Sequence, residues 1–335
     1  MTQSNATPAP RANFTEWTLV CLLSVNLAWT TLCLGGYRPE TMLVTSLLTA
    51  ITLMVHLIGQ GWAGVAVRLH PAGWLFLPFL LYALANVIWV TPLPWLGWHD
   101  WILWAHLLFT FWVVLNGVHT RRAQVALMLV VVGLGFVVTI MAGYQRFVEP
   151  DWLMLGRTQA DQFLSRSSGS FGIPNSLAAF YLLITPAIWA MIFRRRATAV
   201  QRVLFGYLGI CFLCGLLLTV SRGGWAGLAL ALAVWPLFGW RRRWWWRLGA
   251  MVGVCGAIAL AAVSLYQVSP VVRDRYHAMI NESGEWTRSV MWRGGWALFR
   301  ENPTWGSGAG SYSILFETHR PVHYQMEPQW THNDY

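Results

Sequence analysis

Nine apolar runs, each about as long as a bilayer is thick when coiled as a helix, dictate what this chain can become. They fall near residues 17–36, 41–58, 74–91, 101–119, 123–143, 175–193, 203–220, 224–240 and 247–267. About twenty apolar residues, at about 1.5 Å rise each, cross about 30 Å of hydrocarbon. A helix satisfies its own backbone polar groups along the way, so a segment of this kind can sit in lipid. The fold class that follows is an all-α integral membrane protein, a polytopic helical bundle. Composition agrees, with 56% hydrophobic and 11% charged residues against the roughly 25% charged residues of ordinary soluble domains. The first run has neither a basic leader nor a small-residue cleavage site, so it reads as a retained span. Residues 1–16, rich in Thr, Asn, Ala and Pro, read as a disordered cytoplasmic tail.

Short cytoplasmic loops collect basic residues, and that bias orients the bundle. With the N-terminus inside, the inner connections hold Arg68, Arg121, Arg122, Arg194, Arg195, Arg196, Arg202, Arg241, Arg242, Arg243 and Arg247. The short outer connections hold Arg38 and Arg222 alone, eleven against two. The chain then divides into five N-terminal spans over 17–143, an outer loop over 144–174, four spans over 175–267 and a large outer loop over 268–335. In a bacterium that places the bundle in the inner membrane and both long loops in the periplasm. Trp95, Trp98, Trp101 and Trp104, and Trp240, Trp244, Trp245 and Trp246, suit the aromatic belts at the two interfaces.

The ionisable residues exclude several chemistries. All 23 basic residues are Arg, which rules out a Schiff-base lysine and the lysine of a phosphate loop. The net charge of +10 sits in short clusters between spans, not in a nucleic-acid-binding face. All thirteen carboxylates lie outside the runs or at their edges. Coupled transporters commonly keep acids at membrane depth, so a transporter is the weaker reading. Cys211 and Cys214 form a C-x-x-C inside a run, with no second pair to make a zinc site, and read as packing.

Against this background three polar residues stand out. Arg222 breaks the charge rule in the short connection Ser221-Arg222-Gly223-Gly224. It is either an arginine reaching up to the interface or an anion-capturing group beside exposed backbone N–H groups at a helix start. Arg288 is expected in the first turn of a helix over about 287–301 that stops before Pro303. A cation there opposes the helix dipole at a cost of up to about 1 kcal/mol, which an anionic ligand would offset; a solvated arginine is the plainer alternative. His332, followed by Asn333 and Asp334, is the obvious general-base candidate near the end of the large loop; a surface histidine with no chemical role is the plainer alternative. His319, His323 and His332 with Glu317 and Glu327 lack any recognised metal-ligand spacing. Glu149-Pro150-Asp151 reads as a turn, and Gly306-x-Gly308-x-Gly310 as a tight turn after the helix.

Four blocks in order carry a family resemblance. They are Ser168-Gly169-Ser170-Phe171-Gly172-Ile173-Pro174-Asn175 opening a span, Ser221-Arg222-Gly223-Gly224, Arg288-x-x-x-Trp292 running to Asn302-Pro303-x-x-Gly306-x-Gly308, and His332-Asn333-Asp334-Tyr335. Together they resemble the O-antigen ligase and polymerase superfamily over about residues 165–335. The resemblance implies glycan transfer from an undecaprenyl diphosphate carrier to an acceptor hydroxyl, with neither metal nor nucleotide and no cofactor. It assigns the diphosphate to Arg222 and Arg288, the base to His332, and substrate contacts to Asn175, Asn333 and Asp334. It implies three partners: the lipid-linked donor, the bilayer, and an acceptor that is lipid A-core, another glycan or a protein hydroxyl. Ligase-like transfer ranks first, then polymerase or protein O-oligosaccharyltransferase, with a lipid-linked glycan flippase as the non-enzyme alternative. Members of the superfamily continue past this motif into further spans, so a chain stopping at Tyr335 is expected to be a fragment, one that is inactive alone.

Overall fold

The computed structural model describes residues 14–62, 70–194, 196–239, 244–268, 273, 287–322 and 324. Among the described residues, nine long helices coincide with the nine apolar runs. They are α1 (Phe14–Leu32), α2 (Pro39–Trp62), α3 (Leu77–Trp89), α4 (Pro94–Gly117), α5 (Arg121–Phe147), α6 (Pro174–Ile192), α7 (Ala199–Leu218), α8 (Arg222–Gly239) and α9 (Trp244–Val268). α10 (Thr287–Glu301) and the short α11 (Tyr312–Leu315) follow. No strand occurs among the described residues. Five helices are long and apolar enough, within those residues, to cross a membrane: α2, Pro71–Trp89 including α3, α5, α6 and α7. The chain is thus an all-α, multi-pass membrane protein. α1 begins three residues earlier than the sequence suggests, and Glu16 in its first turn is buried. Its carboxylate accepts the backbone N–H groups of His119 and Thr120 at 2.7 and 2.6 Å, where α5 begins. An anion suits that helix start.

The chain forms two compact units, residues 1–67 with 113–260, and residues 68–112 with 261–335. In the first unit, Val132, Val138 and Ala142 of α5, Leu177, Tyr181 and Ile188 of α6, and Phe212 and Leu216 of α7 make one core. A second cluster joins Leu19, Val20 and Leu23 of α1 to Ala123 and Leu127 of α5.

α2 shows the solvent for which this unit is built. Its buried residues include Thr41, Thr45, Thr49, Thr52 and His56, while Leu43, Leu47, Ile51, Met54 and Leu57 are exposed. That inverts the pattern of a helix in water. In lipid the apolar face needs no cover, and packing between helices runs through small polar side chains. Accordingly Asn26 of α1 donates to Thr49 Oγ1 at 3.2 Å, and Trp29 Nε1 to the carbonyl of Thr41 at 3.2 Å.

The connection between α5 and α6 is built on buried polar side chains, together with Gln145 in the last turn of α5. Gln145, Gln159, Ser167, Ser168 and Ser170 are all nearly inaccessible. Gln145 Oε1 accepts the N–H of Ser168 at 2.7 Å and of Gly169 at 3.0 Å, while its Nε2 donates to the carbonyl of Trp152 at 2.8 Å. Gln159 Nε2 donates to the carbonyls of Phe163 and Arg166 at 2.8 and 2.9 Å. Buried backbone in a loop must be paired, and here two glutamine side chains do much of the pairing, so the loop has a defined course.

In the second unit, α3 and α4 pack through Leu80, Ala105 and Leu108. α10 buries Val290 and Met291 against Phe316 and Tyr324. Within the described residues this helix runs from Thr287 to Glu301 and stops before Pro303, which has no N–H to continue it.

Candidate anion-binding site

Arg222 is the first residue of α8, and its exposed side chain stands at the end of a tightly specified turn. α7 ends at Leu218; Thr219 is fully buried and bonds its hydroxyl to the carbonyl of Leu216 at 2.7 Å. Val220 then adopts φ +48°. A β-branched residue in the left-handed region is strained, by about 1–3 kcal/mol, and persists only where its surroundings enforce it. The enforcement is visible on both sides. Ser221 N–H donates to Thr219 Oγ1 at 3.2 Å, and Ser221 Oγ accepts the N–H of Gly224 at 3.2 Å. Ser221 therefore acts as the N-cap of α8.

The same hydroxyl links α8 to α6. Ser221 Oγ donates to Asn175 Oδ1 at 3.0 Å, and Asn175 lies in the first turn of α6, next to Pro174. Two helix N-termini thus meet side by side, each presenting the positive end of its dipole. Arg166 closes the arrangement. Its Nη2 donates to Asn175 Oδ1 at 2.8 Å, its Nε donates to the Thr219 carbonyl at 3.0 Å, and the guanidinium carbon lies 5.6 Å from the centre of the Phe163 ring. With its oxygen engaged by two donors, Asn175 keeps its amide N–H groups for another acceptor. The two glycines of the motif differ. A Cβ on Gly224 would lie 2.8 Å from Ala178 Cβ, whereas one on Gly223 would meet nothing within 4 Å. Gly224 serves helix packing, and Gly223 leaves backbone open to an approaching group.

Arg288 is exposed in the first turn of α10, as its sequence position suggests. Val290 and Met291 anchor the helix below it, and Tyr312 OH donates to the Met291 carbonyl at 3.0 Å. Burial, then the neighbouring Tyr324, push the Tyr312 hydroxyl up to about 12. Arg293 and Arg300 are exposed, and Arg293 bonds back to the Ser289 carbonyl at 3.4 Å. Beyond the helix, Gly306, Gly308 and Gly310 all take positive φ, so the tight turn is real. Its docking was not legible in the sequence. Asn86 at the end of α3 donates to the Trp305 carbonyl at 2.7 Å and accepts the Ala309 N–H at 2.6 Å; Thr91 donates to the Ala309 carbonyl at 2.7 Å. A Cβ on Gly308 would lie 2.4 Å from Thr91 Cα, which explains that glycine.

The structure therefore brings Asn175 beside the turn that carries Arg222, and adds Arg166, which sequence reasoning passed over. The charge asymmetry was read from the short connections alone, so an arginine inside the 144–174 loop raised no flag. His332, Asn333 and Asp334 lie outside the described residues, as do His323 and Glu327. Within the described residues His319 pairs with Glu301 at 2.9 Å and Glu317 with Arg320 at 3.0 Å. Glu149 accepts the Tyr144 hydroxyl at 2.8 Å, and the Asp151 carbonyl accepts the Gln159 N–H at 2.7 Å, as parts of a turn. A cavity of about 330 Å³ opens there, lined by Glu149, Asp151, Trp152 and Arg157 among others; neither Asn175 nor Arg222 lines it.

The fold and this site define a multi-pass membrane protein that presents arginines at helix starts. The comparison with protein families is consistent with that class: residues 207–335 match the family model described as O-antigen ligase (Wzy_C). Three of the four sequence blocks, with Arg222, Arg288 and His332, lie inside that match, so the family resemblance is borne out over residues 207–335; the Ser168–Asn175 block lies outside it. It supports a function of the O-antigen ligase and polymerase type in general, whose members are glycosyltransferase-like enzymes. No curated protein and no solved structure matches the chain.

Proposed function

We propose that the protein moves a glycan from an undecaprenyl diphosphate carrier to an acceptor hydroxyl at the periplasmic face of the bacterial inner membrane. The observation that carries this reading is the Arg222 turn: an exposed guanidinium and open backbone at a helix start, held by a strained and fully bonded connection. A diphosphate is the anion such a place suits, because guanidinium and helix N-terminus act on the same charge. In this reading the acceptor oxygen attacks the anomeric carbon and the bond from that carbon to the diphosphate oxygen breaks. His332 takes the hydroxyl proton. Arg222 and Arg288 each counter the charge that develops on the departing diphosphate. Attack from the face opposite the leaving group inverts the anomeric centre. The products are the glycosylated acceptor and undecaprenyl diphosphate. No step draws on a metal. The N-terminus is cytoplasmic and the 268–335 segment is periplasmic. Ligase-like transfer to lipid A-core is the leading form, because a histidine base with two arginines suits attack by a foreign hydroxyl.

The test is transfer by the full-length protein in liposomes, in EDTA, with an undecaprenyl diphosphate-linked glycan offered to lipid A-core, to a second glycan and to a protein. The expected result is transfer that survives the chelator and falls at least about a hundredfold in His332→Ala, the usual scale for a general base. Arg222→Ala and Arg288→Ala are expected to fall as well. Transfer that needs a divalent ion, or that persists in His332→Ala, refutes the mechanism. Movement of lipid-linked glycan across the bilayer with no acceptor modified would favour a flippase.

A further inference from the structure

We propose that Arg166 is the positioning residue of this site: it sets the turn that aims Arg222, directly through the Thr219 carbonyl and indirectly through Asn175 and Ser221. The inference rests on the functional reading above, and extends it to a residue outside the 207–335 family match.

Three observations carry it. First, the backbone that carries Arg166 is held in place. Its own carbonyl accepts Gln159 Nε2 at 2.9 Å, and the N–H of its neighbour Ser167 donates to the Leu218 carbonyl at 3.0 Å. Gln159 and Ser167 are 3% and 0% exposed. Buried, satisfied polar networks of this kind rigidify what they hold. Second, the guanidinium spends its donors on the site's framework. Nε reaches the carbonyl of Thr219, one residue before the strained Val220, and Nη2 reaches Asn175 Oδ1. The rigid fork of arginine can bridge these two acceptors at once; a lysine ammonium on a flexible stem cannot reproduce the pair. Third, Asn175 Oδ1 also accepts the hydroxyl of Ser221, the residue before Arg222. Arg166, Asn175 and Ser221 therefore form one chain of bonds that ends at the residue before Arg222. Removing Arg166 frees the Thr219 carbonyl and half of the Asn175 acceptor, and Val220 can then relax out of its strained conformation. The guanidinium of Arg222 would remain present but wrongly aimed.

An effect exerted through Arg222 must vanish when Arg222 is gone, because residues acting as a unit are not additive. The experiment measures binding of undecaprenyl diphosphate, with undecaprenyl monophosphate as the comparison probe, to the full chain in detergent and EDTA. Variants are Arg222→Ala, Arg166→Ala, Arg166→Lys, Asn175→Ala, and the double variant Arg166→Ala with Arg222→Ala. Arg157→Ala, an arginine of the same loop paired with Glu40, controls for lost charge. We expect Arg166→Ala to weaken diphosphate binding about tenfold, Arg166→Lys to recover little of it, and the double variant to bind within about twofold of Arg222→Ala alone. Arg157→Ala should bind as wild type. Should Arg166→Ala fail to fold, the Lys and Asn175→Ala variants, checked for an unchanged melting temperature, carry the same comparison. Wild-type binding in Arg166→Ala, losses that multiply in the double variant, or an equal loss in Arg157→Ala would overturn the proposal while leaving the function intact. If Arg222→Ala itself binds diphosphate as wild type does, the functional reading fails first, and the positioning role falls with it.

Discussion

Gly223 and Gly224 are adjacent and chemically identical, yet the structure gives them opposite work. An added methyl at 224 meets Ala178 of α6 at 2.8 Å and Leu216 of α7 at 3.1 Å, and overpacking of that kind costs about 1–3 kcal/mol. An added methyl at 223 meets open space, and alanine is the better helix former by up to about 1 kcal/mol. Gly224→Ala should therefore lower the melting temperature in detergent. Gly223→Ala should leave it unchanged or raise it while reducing glycan transfer, because in the proposed mechanism the methyl stands where the donor approaches. Equal melting temperatures and equal activities for the two variants would remove the distinction drawn here. At this scale the sequence was informative about types and silent about partners. Arg222 stood out because it violated a charge rule, and Arg288 because it opposed a dipole. Arg166 violated nothing. Its role exists only because the chain returns Thr219 and Asn175 to it, from 53 and 9 residues away, and no local pattern records such a closure.

Among the elements, α10 was the most legible and its surroundings the least. Its end follows from Pro303, whereas its docking depends on Phe316 and Tyr324, which follow it after the glycine turn. That docking should be pH-sensitive. Tyr312 is held neutral by burial, with its hydroxyl pushed up to about 12 from an ordinary 10. A phenol whose folded value lies above its unfolded value contributes stability that is complete below pH 10 and is lost as pH rises from 10 through 12. Hydrogen exchange at the buried amides of α10 should thus accelerate over that interval beyond its ordinary base-catalysed rise. Tyr312→Phe should flatten the excess, at a cost of about 1 kcal/mol for the bond to the Met291 carbonyl. An excess acceleration unchanged in the phenylalanine variant would mean that another group titrates.

For the whole molecule, nine apolar runs were enough to anticipate nine helices, because period, length and composition are local properties. The proposed orientation is also local in origin, resting on where arginines fall between the runs. It predicts that single cysteines placed at Glu149 and at Arg196, in a variant lacking the native cysteines, label from opposite sides of sealed vesicles with a membrane-impermeant maleimide. Labelling of both from one side would refute the alternation. What the sequence left unseen was the inversion of α2. Its threonines and its leucines are equally ordinary as a list, and only the packing against α1 reveals which face is inside. The α1–α2 pair coheres through hydroxyl and amide groups instead of through expulsion of water. Replacing lipid by a mild detergent belt leaves such a pair nearly undisturbed, since the belt touches only the leucine side. A fluorinated alcohol is a different solvent: it offers the threonines other partners while favouring each helix by itself, and would draw α1 and α2 apart without melting either one.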